Sequence, residues 1–262
     1  MARRDGSVIQ ADRDDEAAER GGPVLALALG RGKTGKSTFV RWAAEGAVSR
    51  GGLPTIADAD RTNATLAAFF DGVERPPSPE DEDVRLWLNG LIDRQIEERF
   101  SAFLDLGGGD LILKQWARDL ELASFLEENG ISVVAMHFLG CDIDDLGYLR
   151  DMEEEARFQP AKTALVLNEG LVPPGRSART AFAPLVEDEI FRKAAGRGAV
   201  PVRMPRLACM HEVEQRRLSF EDASAGRVKA GQEKIGAVNR QLISIWRREM
   251  AAAFATVAPW MP

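Results

Sequence analysis

The sequence predicts an α/β fold in which a mostly parallel sheet is flanked by helices on both faces. Short apolar runs alternate with amphipathic stretches along the chain. The apolar runs are continuous, which is typical of strands buried on both faces of a parallel sheet. A glycine-rich turn at residues 30–38 joins the first apolar run to a stretch with helical spacing. Together these observations favour the α/β class.

The predicted strands follow the apolar runs in chain order. The run PVLALAL comes first, and the later runs have a similar unbroken apolar character. Glycines follow the third run, in the sequence LDLGGGD, and allow the chain to turn after the strand. The strand predictions cover residues 23–29, 53–60, 99–110, 131–139, 162–168 and 198–205.

The predicted helices fill intervals between these strands. The helix predicted for 37–52 ends at two glycines, and the one predicted for 111–129 ends at Asn-Gly. Both endings favour helix termination. An acidic loop with prolines, residues 78–85, leads into a helix that runs to about Arg99. Residues 142–158 are predicted to form another helix.

Length and composition limit the class of protein. The 262 residues are 45% hydrophobic and 29% charged, with a net charge of -7, which is ordinary for a globular protein. No apolar run reaches the roughly 18–20 residues of a membrane span, and the charged N-terminus has no signal-peptide core. The two cysteines support neither a disulfide framework nor a zinc site. We expect a cytoplasmic protein with a flexible tail, residues 1–21, and one domain, residues 22–262.

The strongest motif is GRGKTGKST, which fits the pattern G-x-x-x-x-G-K-[ST] of a phosphate-binding loop. In such a loop, consecutive backbone N–H groups and the positive end of the next helix face phosphate oxygens. Lys36 is predicted to reach the β- and γ-phosphates, and the Ser37 hydroxyl to bind Mg²⁺. The dinucleotide-binding motif G-x-G-x-x-G does not include a Gly-Lys-Ser ending, so a dinucleotide site is the less favoured interpretation. The predicted nucleotide contacts of this loop are Gly30, Arg31, Gly32, Lys33, Thr34, Gly35, Lys36, Ser37 and Thr38.

A phosphate loop also needs a carboxylate that holds Mg²⁺ at the end of a neighbouring strand. Asp105 fits this role because it ends an apolar run and is followed by glycines. The sequence from Asp105 to Gly108 has the form D-x-x-G. The N–H of such a glycine can sense the γ-phosphate and move when that group leaves.

Two further acids, Asp58 and Asp60, lie at the end of the second predicted strand, residues 53–60. Asp58 follows Lys36 by 22 residues. This order of motifs resembles the ParA/MinD family of ATPases, whose loop reads K-G-G-x-G-K-[ST] and whose next strand ends in D-x-D-P-Q. The resemblance implies a P-loop NTPase fold of the SIMIBI type that binds ATP and Mg²⁺ and forms a homodimer on ATP binding. It also implies slow hydrolysis, with Asp60 positioning the attacking water and Asp58 supporting it.

The sequence departs from the family pattern at three positions. Arg31 replaces the lysine that reaches into the partner subunit's nucleotide site, Lys33 replaces a glycine, and Arg61 replaces the proline after the second aspartate. Arg31 is either a solvated loop residue or an arginine that still reaches the partner's phosphates, since arginines supplied in trans stabilise phosphoryl transfer. Lys33 could take over that contact because it lies two residues away.

Two later segments are also similar to the family. The run LVLN ends in Asn168, at the place of an asparagine that contacts adenine in many relatives. The segment that contains Pro205 and Arg206 is similar to the part of those proteins that forms a wall of the base pocket. The resemblance covers roughly residues 23–255 and implies a nucleotide-switched role in DNA or plasmid partition or in intracellular positioning, with a partner protein that stimulates hydrolysis.

The C-terminal region contains a basic stretch that could bind the DNA backbone without sequence preference. A solvated helix face is the alternative. Between residues 223 and 248 the only acid is Glu233. The basic residues there are Arg227, Lys229, Lys234, Arg240, Arg247 and Arg248.

Two other functions remain open at the level of the sequence. An ATP-dependent metabolic enzyme similar to dethiobiotin synthetase would need a polar substrate pocket, for which the loop 168–180 is the candidate. The other is an accessory ATPase of plasmid conjugation or protein positioning that makes no DNA contact of its own.

Overall fold

The fold is taken from a computed structural model, which describes residues 22–61, 65–107, 115–116, 118–155 and 158–262. The predicted tail, residues 1–21, and Gly108 lie outside the described residues. The division into a tail and one domain therefore stays a prediction.

The described strands form one six-stranded sheet with the order β2-β3-β1-β4-β5-β6. Each neighbouring pair is parallel. Because the strand order reverses on either side of β1, a crevice opens at the carboxyl end of that strand. The strands are β1 (Val24–Leu29), β2 (Thr55–Asp58), β3 (Ala102–Asp105), β4 (Ser132–Leu139), β5 (Lys162–Asn168) and β6 (Val200–Met204).

The helices connect the strands and continue after β6. Short 3₁₀ turns cover Leu66–Ala68, Ile143–Leu146, Glu169–Leu171 and Ala258–Trp260. Within the described part of the chain, no helix combines the length and apolar character needed to cross a membrane. The α-helices are α1 (Lys36–Ser49), α2 (Asp81–Glu98), α3 (Leu122–Glu128), α4 (Gly147–Glu155), α5 (Ala178–Glu187), α6 (Glu189–Gly196), α7 (Met210–Arg216), α8 (Phe220–Ala225) and α9 (Ala237–Ala253).

Helices cover both faces of the sheet, as the sequence predicts. Successive residues of β1 point to opposite faces: Ala26 and Ala28 join one apolar cluster, and Leu25 and Leu27 join another. The first cluster contains side chains from α1, α7, α8 and α9, and the second contains side chains from α2, α3 and α4. A third cluster packs α5 and α6 against the β4–β5 side. The predicted α/β fold is confirmed.

One helix prediction is wrong in detail. The stretch 111–129 was expected to form one helix, but its described part turns at residues 120–121 before α3 begins. Glu121 has a φ of 46°, in the left-handed region that interrupts a helix. The turn brings Leu122 and Leu126 into the apolar core, so tertiary packing outweighs helical propensity there. Residues 108–114 and 117 lie outside the described chain.

A buried arginine connects α1 to the C-terminal helices. The Arg41 guanidinium lies 3.3 Å from the ring centroid of Phe69 and 4.7 Å from that of Phe220. Its Nη2 donates to the carbonyl oxygen of Leu218 at 3.2 Å. One turn along α1, the Glu45 carboxylate accepts the N–H of Phe220 at 2.8 Å. Burial raises the pKa of Glu45 to about 7, although the N–H of Phe220 and the charge of Arg41 act to lower it.

We expect Arg41→Met to lower the free energy of unfolding by about 3 kcal/mol, because it removes the charge that offsets the burial of Glu45. Urea unfolding at about pH 8 measures the change. Arg50→Met, at the exposed end of the same helix, serves as the control and should be nearly neutral. An Arg41→Met protein as stable as the control would show that the buried guanidinium contributes nothing.

Candidate functional site

The loop between β1 and α1 is pressed against the ends of two neighbouring strands. Gly30 and Gly35 have φ angles of +132° and +102°, which residues with side chains rarely adopt. A Cβ on Gly30 would lie 2.5 Å from the carbonyl oxygen of Phe138 in β4. A Cβ on Gly35 would overlap the side-chain amide of Asn168 in β5. Both glycines are therefore required by conformation and by space.

Two other loop positions, Gly32 and Lys33, are under different steric and conformational constraints. A Cβ on Gly32 would meet no atom within 4 Å among the described residues. Lys33 has a φ of 66°, a conformation that glycine adopts without strain and lysine only rarely. Lys33, which stands where the ParA/MinD pattern has a glycine, thus has the backbone conformation that favours glycine.

Lys36, the first residue of α1, extends back under the loop. Its Nζ donates to the carbonyl oxygens of Gly30 at 3.0 Å and Arg31 at 2.9 Å. Burial lowers the pKa of its ammonium group, while the carboxylates of Asp105 and Asp60 act to raise it. The lysine charge therefore lies between the loop and the acidic ends of β2 and β3.

Ser37 and Asp105 are in direct contact. The Ser37 hydroxyl donates to Asp105 Oδ2 at 2.6 Å. Burial raises the pKa of Asp105 to about 7, against the Ser37 bond and the Lys36 charge, which lower it. The other oxygen, Oδ1, is buried without a hydrogen-bond partner among the described residues. A hydroxyl and a buried carboxylate oxygen that lacks a partner are suitable ligands for Mg²⁺, so the residues present fit the predicted ion.

Asp58 and Asp60 lie beside this pair. Asp58 is the direct neighbour of Asp105 across the β2–β3 ladder, and its Oδ1 accepts the N–H of Asp60 at 3.0 Å. Burial raises the pKa of Asp58. A Cβ on Gly107 would lie 3.7 Å from Asp60 Oδ1. The structure thus brings the three predicted carboxylates and the loop lysine to one edge of the sheet.

The Arg31 side chain contacts acids on the β4 side of the loop, away from Asp105 at the end of β3. Its Nη1 donates to Asp145 Oδ1 at 3.3 Å and lies 3.8 Å from Asp142 Oδ2. These acids belong to the turn after β4, whereas Asp105 ends β3 on the other side of β1. Asp145 is nearly buried, and its Oδ2 accepts the N–H of Gly140 at 2.9 Å. Within its own chain, Arg31 is therefore held away from the carboxylate edge.

Asn168 supports the loop from β5. Its Nδ2 donates to the carbonyl oxygen of Thr34 at 2.8 Å, and its Oδ1 accepts the N–H of Gly170 at 2.9 Å. The Thr34 hydroxyl in turn donates to the carbonyl oxygen of Arg31 at 2.8 Å. Asn168, which the resemblance implies contacts adenine, thus also holds the loop between β1 and α1.

A pocket of about 290 Å³, open to solvent, lies beside the loop. Its lining includes three residues of the loop and the start of α1, together with three residues predicted to contact the base: Lys33, Gly35 and Thr38, and Asn168, Pro205 and Arg206. The structure therefore brings the predicted base-contacting residues to one cavity. The beginning of the loop 168–180 also reaches this pocket, through Gly170 and Leu171.

Part of the charge of the basic stretch is compensated within the chain. Arg227 forms ion pairs with Glu221 and Asp222, and its hydrogen bond lowers the pKa of Asp222. Arg247 donates to Ser224 Oγ at 3.0 Å and lies 3.9 Å from Glu221 Oε2. Glu221 and Asp222 lie directly before the basic stretch in the sequence. The net positive charge of this region is therefore smaller than the basic residues of 223–248 alone indicate.

Sequence reasoning missed Asp145 and the loop-holding role of Asn168. Asp145 is one of several acids directly after the fourth apolar run. The available signal was its position, because the carboxyl ends of parallel strands meet at the same edge of a sheet. Its pairing with Arg31 could not be read from spacing, since 114 residues separate the two.

Comparison with known proteins gives no family assignment. No protein-family model matches the chain, and no curated protein matches it either. Solved structures similar to it include a chloroplast FtsY from Physcomitrella patens, with 18% identity over 70% of this chain and 58% of that one and a TM-score of 0.42. FtsY from Elizabethkingia anophelis in complex with GDP has 13% identity over 69% and 57%, with a TM-score of 0.40. FlhF complexed with GMPPNP and Mg²⁺ has 10% identity over 94% and 86%, with a TM-score of 0.40.

These similarities are low, and the chain spans a little over half of the two FtsY chains. The fold class rests on the strand order and on the loop between β1 and α1. The comparisons do not distinguish the ParA/MinD family, so that resemblance stays a prediction.

Because burial raises the pKa of Asp105 to about 7, we expect Mg²⁺ to bind more tightly with ATP as the pH rises from about 6 to about 8. The carboxylate must lose its proton before it binds the cation, so affinity falls by up to about 10-fold per pH unit below that pKa. Mg²⁺ titrations with a fluorescent ATP analogue at several pH values measure this. Asp105→Asn should bind Mg²⁺ weakly and keep only the pH dependence that comes from the phosphates of the nucleotide; a profile for the unmodified protein no steeper than that of the variant would contradict the prediction.

Proposed function

We propose that the chain is a P-loop nucleoside triphosphate hydrolase that binds ATP and Mg²⁺ and acts as a nucleotide-controlled dimeric switch. The observation that carries the proposal is the contact between Ser37 and Asp105 beside Lys36. It joins the start of α1 to the end of β3, as a shared Mg²⁺ site requires. The predicted loop, hydroxyl and carboxylate are thereby neighbours in space as well as matches to a motif.

In this proposal the chain's residues divide the work of hydrolysis. Lys36 and the loop N–H groups bind the phosphates, with the positive end of α1 behind them. Ser37 and Asp105 would hold Mg²⁺, which would neutralise charge on the phosphates when bound. Asp60 orients the water that attacks the γ-phosphate, and Asp58 holds the N–H of Asp60. The bond from the γ-phosphorus to the bridging oxygen breaks as the bond to water forms, ADP leaves with that oxygen, and one proton of the water is released to solvent.

ATP is the proposed nucleotide. No aspartate or glutamate is among the described residues that line the pocket. Guanine presents two kinds of N–H donor on its pairing edge, and a carboxylate is an acceptor-only partner suited to them. Adenine presents one amino group and ring nitrogens that accept hydrogen bonds, which the backbone and side chains of the pocket can match. The proposal therefore predicts tighter binding of ATP than of GTP, and titrations with both nucleotides test this preference.

Lys36→Ala should weaken nucleotide binding by about 10- to 100-fold, because the phosphates lose a charged hydrogen-bond donor worth about 1.5–3 kcal/mol. Hydrolysis should fall with it. Calorimetric titration with ATP and GTP, followed by phosphate release, measures both effects. Arg50→Ala, at the far end of the same helix, is the matched control. Equal binding and turnover by the Lys36 variant and the control would remove the P-loop assignment.

The dimeric part of the proposal concerns Arg31. Its guanidinium is held by Asp145 within its own chain and is directed away from the carboxylate edge. The contact is long and the arginine side chain is 47% exposed, so exchange of Asp145 for an anion on a second subunit costs little. A phosphate offers the arginine fork a stronger, charge-assisted bond than this one. These features support a contact from Arg31 to the phosphates of a second subunit. Lys33 is the alternative residue for that contact.

Asp60→Ala should bind ATP and accumulate as an ATP-bound dimer, because only the hydrolytic step needs that carboxylate. Adding Arg31→Ala should return this protein to a monomer that still binds ATP through Lys36, since each half of a two-fold contact then loses a bond to phosphate. Light scattering with ATP and Mg²⁺ measures the change in mass. Lys33→Ala on the same background is the comparison. A dimer that persists without Arg31 and dissociates without Lys33 would reverse the assignment.

The partition or positioning role, a stimulating partner protein and direct DNA binding belong to the same proposal and rest on the family resemblance. Charge compensation at Arg227 and Arg247 weakens the support for DNA binding in particular.

A further inference from the structure

A short segment after the first 3₁₀ turn extends the edge of the sheet beside β2. Glu74 forms an isolated parallel bridge with Ala57. The carbonyl oxygen of Glu74 accepts the N–H of Asp58 at 2.8 Å, and its own N–H donates to the carbonyl oxygen of Ile56 at 2.9 Å. Arg94 in α2 donates to the Glu74 carboxylate. The two backbone bonds fix residue 74 beside β2, whereas Arg94 contacts only its side chain.

This anchoring places the next residue, Arg75, over the end of β2. Its Nη2 donates to the carbonyl oxygen of Asp60 at 3.0 Å. The N–H of Asp60 donates to Asp58 Oδ1 at 3.0 Å. The two polar backbone groups of Asp60 are therefore held from opposite directions, one by a carboxylate and one by a guanidinium.

Charge favours the same arrangement. Asp58, Asp60 and Asp105 meet at this edge, and Lys36 approaches them from the loop side. Arg75 brings positive charge from the β2 side and acts to lower the pKa of Asp58, which burial raises. Through its bond to the carbonyl oxygen, Arg75 acts on the backbone of Asp60.

We propose that Arg75 is a positioning residue for hydrolysis, which fixes the backbone of Asp60 so that its carboxylate holds the attacking water in line with the γ-phosphate. The inference rests on the proposed function, because it assumes that Asp60 orients that water. Arg75 binds a carbonyl oxygen of the chain itself, so it acts on the rate of the chemical step and leaves nucleotide affinity unchanged. Small displacements of a positioning group cost up to about 100-fold in rate.

The test compares Arg75→Gln with Arg94→Gln. Both remove an exposed arginine from the region of residue 74, but only Arg75 touches Asp60. We expect Arg75→Gln to lower the single-turnover rate of ATP hydrolysis by about 10- to 100-fold with the ATP dissociation constant unchanged. Arg94→Gln should keep the unmodified rate. Arg75→Lys, which retains a cationic donor, should recover part of the loss.

The outcomes separate this inference from the proposed function. An unmodified protein that neither binds nor hydrolyses ATP or GTP removes the proposed function and the inference together. If the unmodified protein hydrolyses ATP, equal rates for Arg75→Gln and Arg94→Gln overturn the inference alone. A parallel loss of affinity and rate also overturns it, because it indicates a general structural role. If Arg75→Gln does not fold, as judged by circular dichroism, Arg75→Met is compared in the same way.

Discussion

The shape of the site depends on the close packing of the predicted phosphate loop against β4 and β5. Phe138 leaves no room for a side chain at Gly30, and Asn168 leaves none at Gly35. Asn168 also bonds to the carbonyl oxygen of Thr34 in the middle of the loop. The loop can therefore keep its turn only while these strands hold their register beside β1. Backbone N–H groups can be directed at an anion only if the loop is rigid in this way.

The same sheet register concentrates negative charge. Asp58 and Asp105 are direct neighbours on adjacent strands, and each is almost fully buried. Burial of an ionised carboxylate is costly unless it is paired, and burial accordingly raises the pKa of both groups. Ser37 and Lys36 offset part of this cost for Asp105. A site that keeps incompletely paired carboxylates is suited to binding a cation, which is why these residues support the proposed Mg²⁺ site.

The crevice has two sides with different tasks. On the β3 side lie the carboxylates and Ser37, where metal binding and water activation are proposed. On the β4 side, Asp145 holds Arg31 and Gly140. Helix α1 starts between them and continues to Arg41, whose guanidinium lies against the C-terminal helices. A change in the position of α1 would therefore affect both the loop and the contact with the C-terminal helices, as the proposed switch would require.

The sequence by itself determined the strands, the glycine-rich loop between β1 and α1, and the acids at the ends of the strands. These features depend on local properties: unbroken apolar runs, glycines at turns, and the spacing from Gly30 to Ser37. A parallel sheet then brings the ends of such strands to one edge, so Asp58, Asp60 and Asp105 could be grouped before their positions were known.

Only the tertiary structure decided which side chains touch across that edge. Asn168 bonds to a loop residue 134 positions away, and Arg31 pairs with an acid 114 positions away. The placement of Arg75 depends on the isolated bridge between Ala57 and Glu74 beside β2. No sequence pattern indicates this bridge. Side-chain pairing depends on strand order, register and the path of the loops, and these follow from the packing of the whole chain. Local spacing therefore locates the site, while the packed sheet decides which residues hold it together.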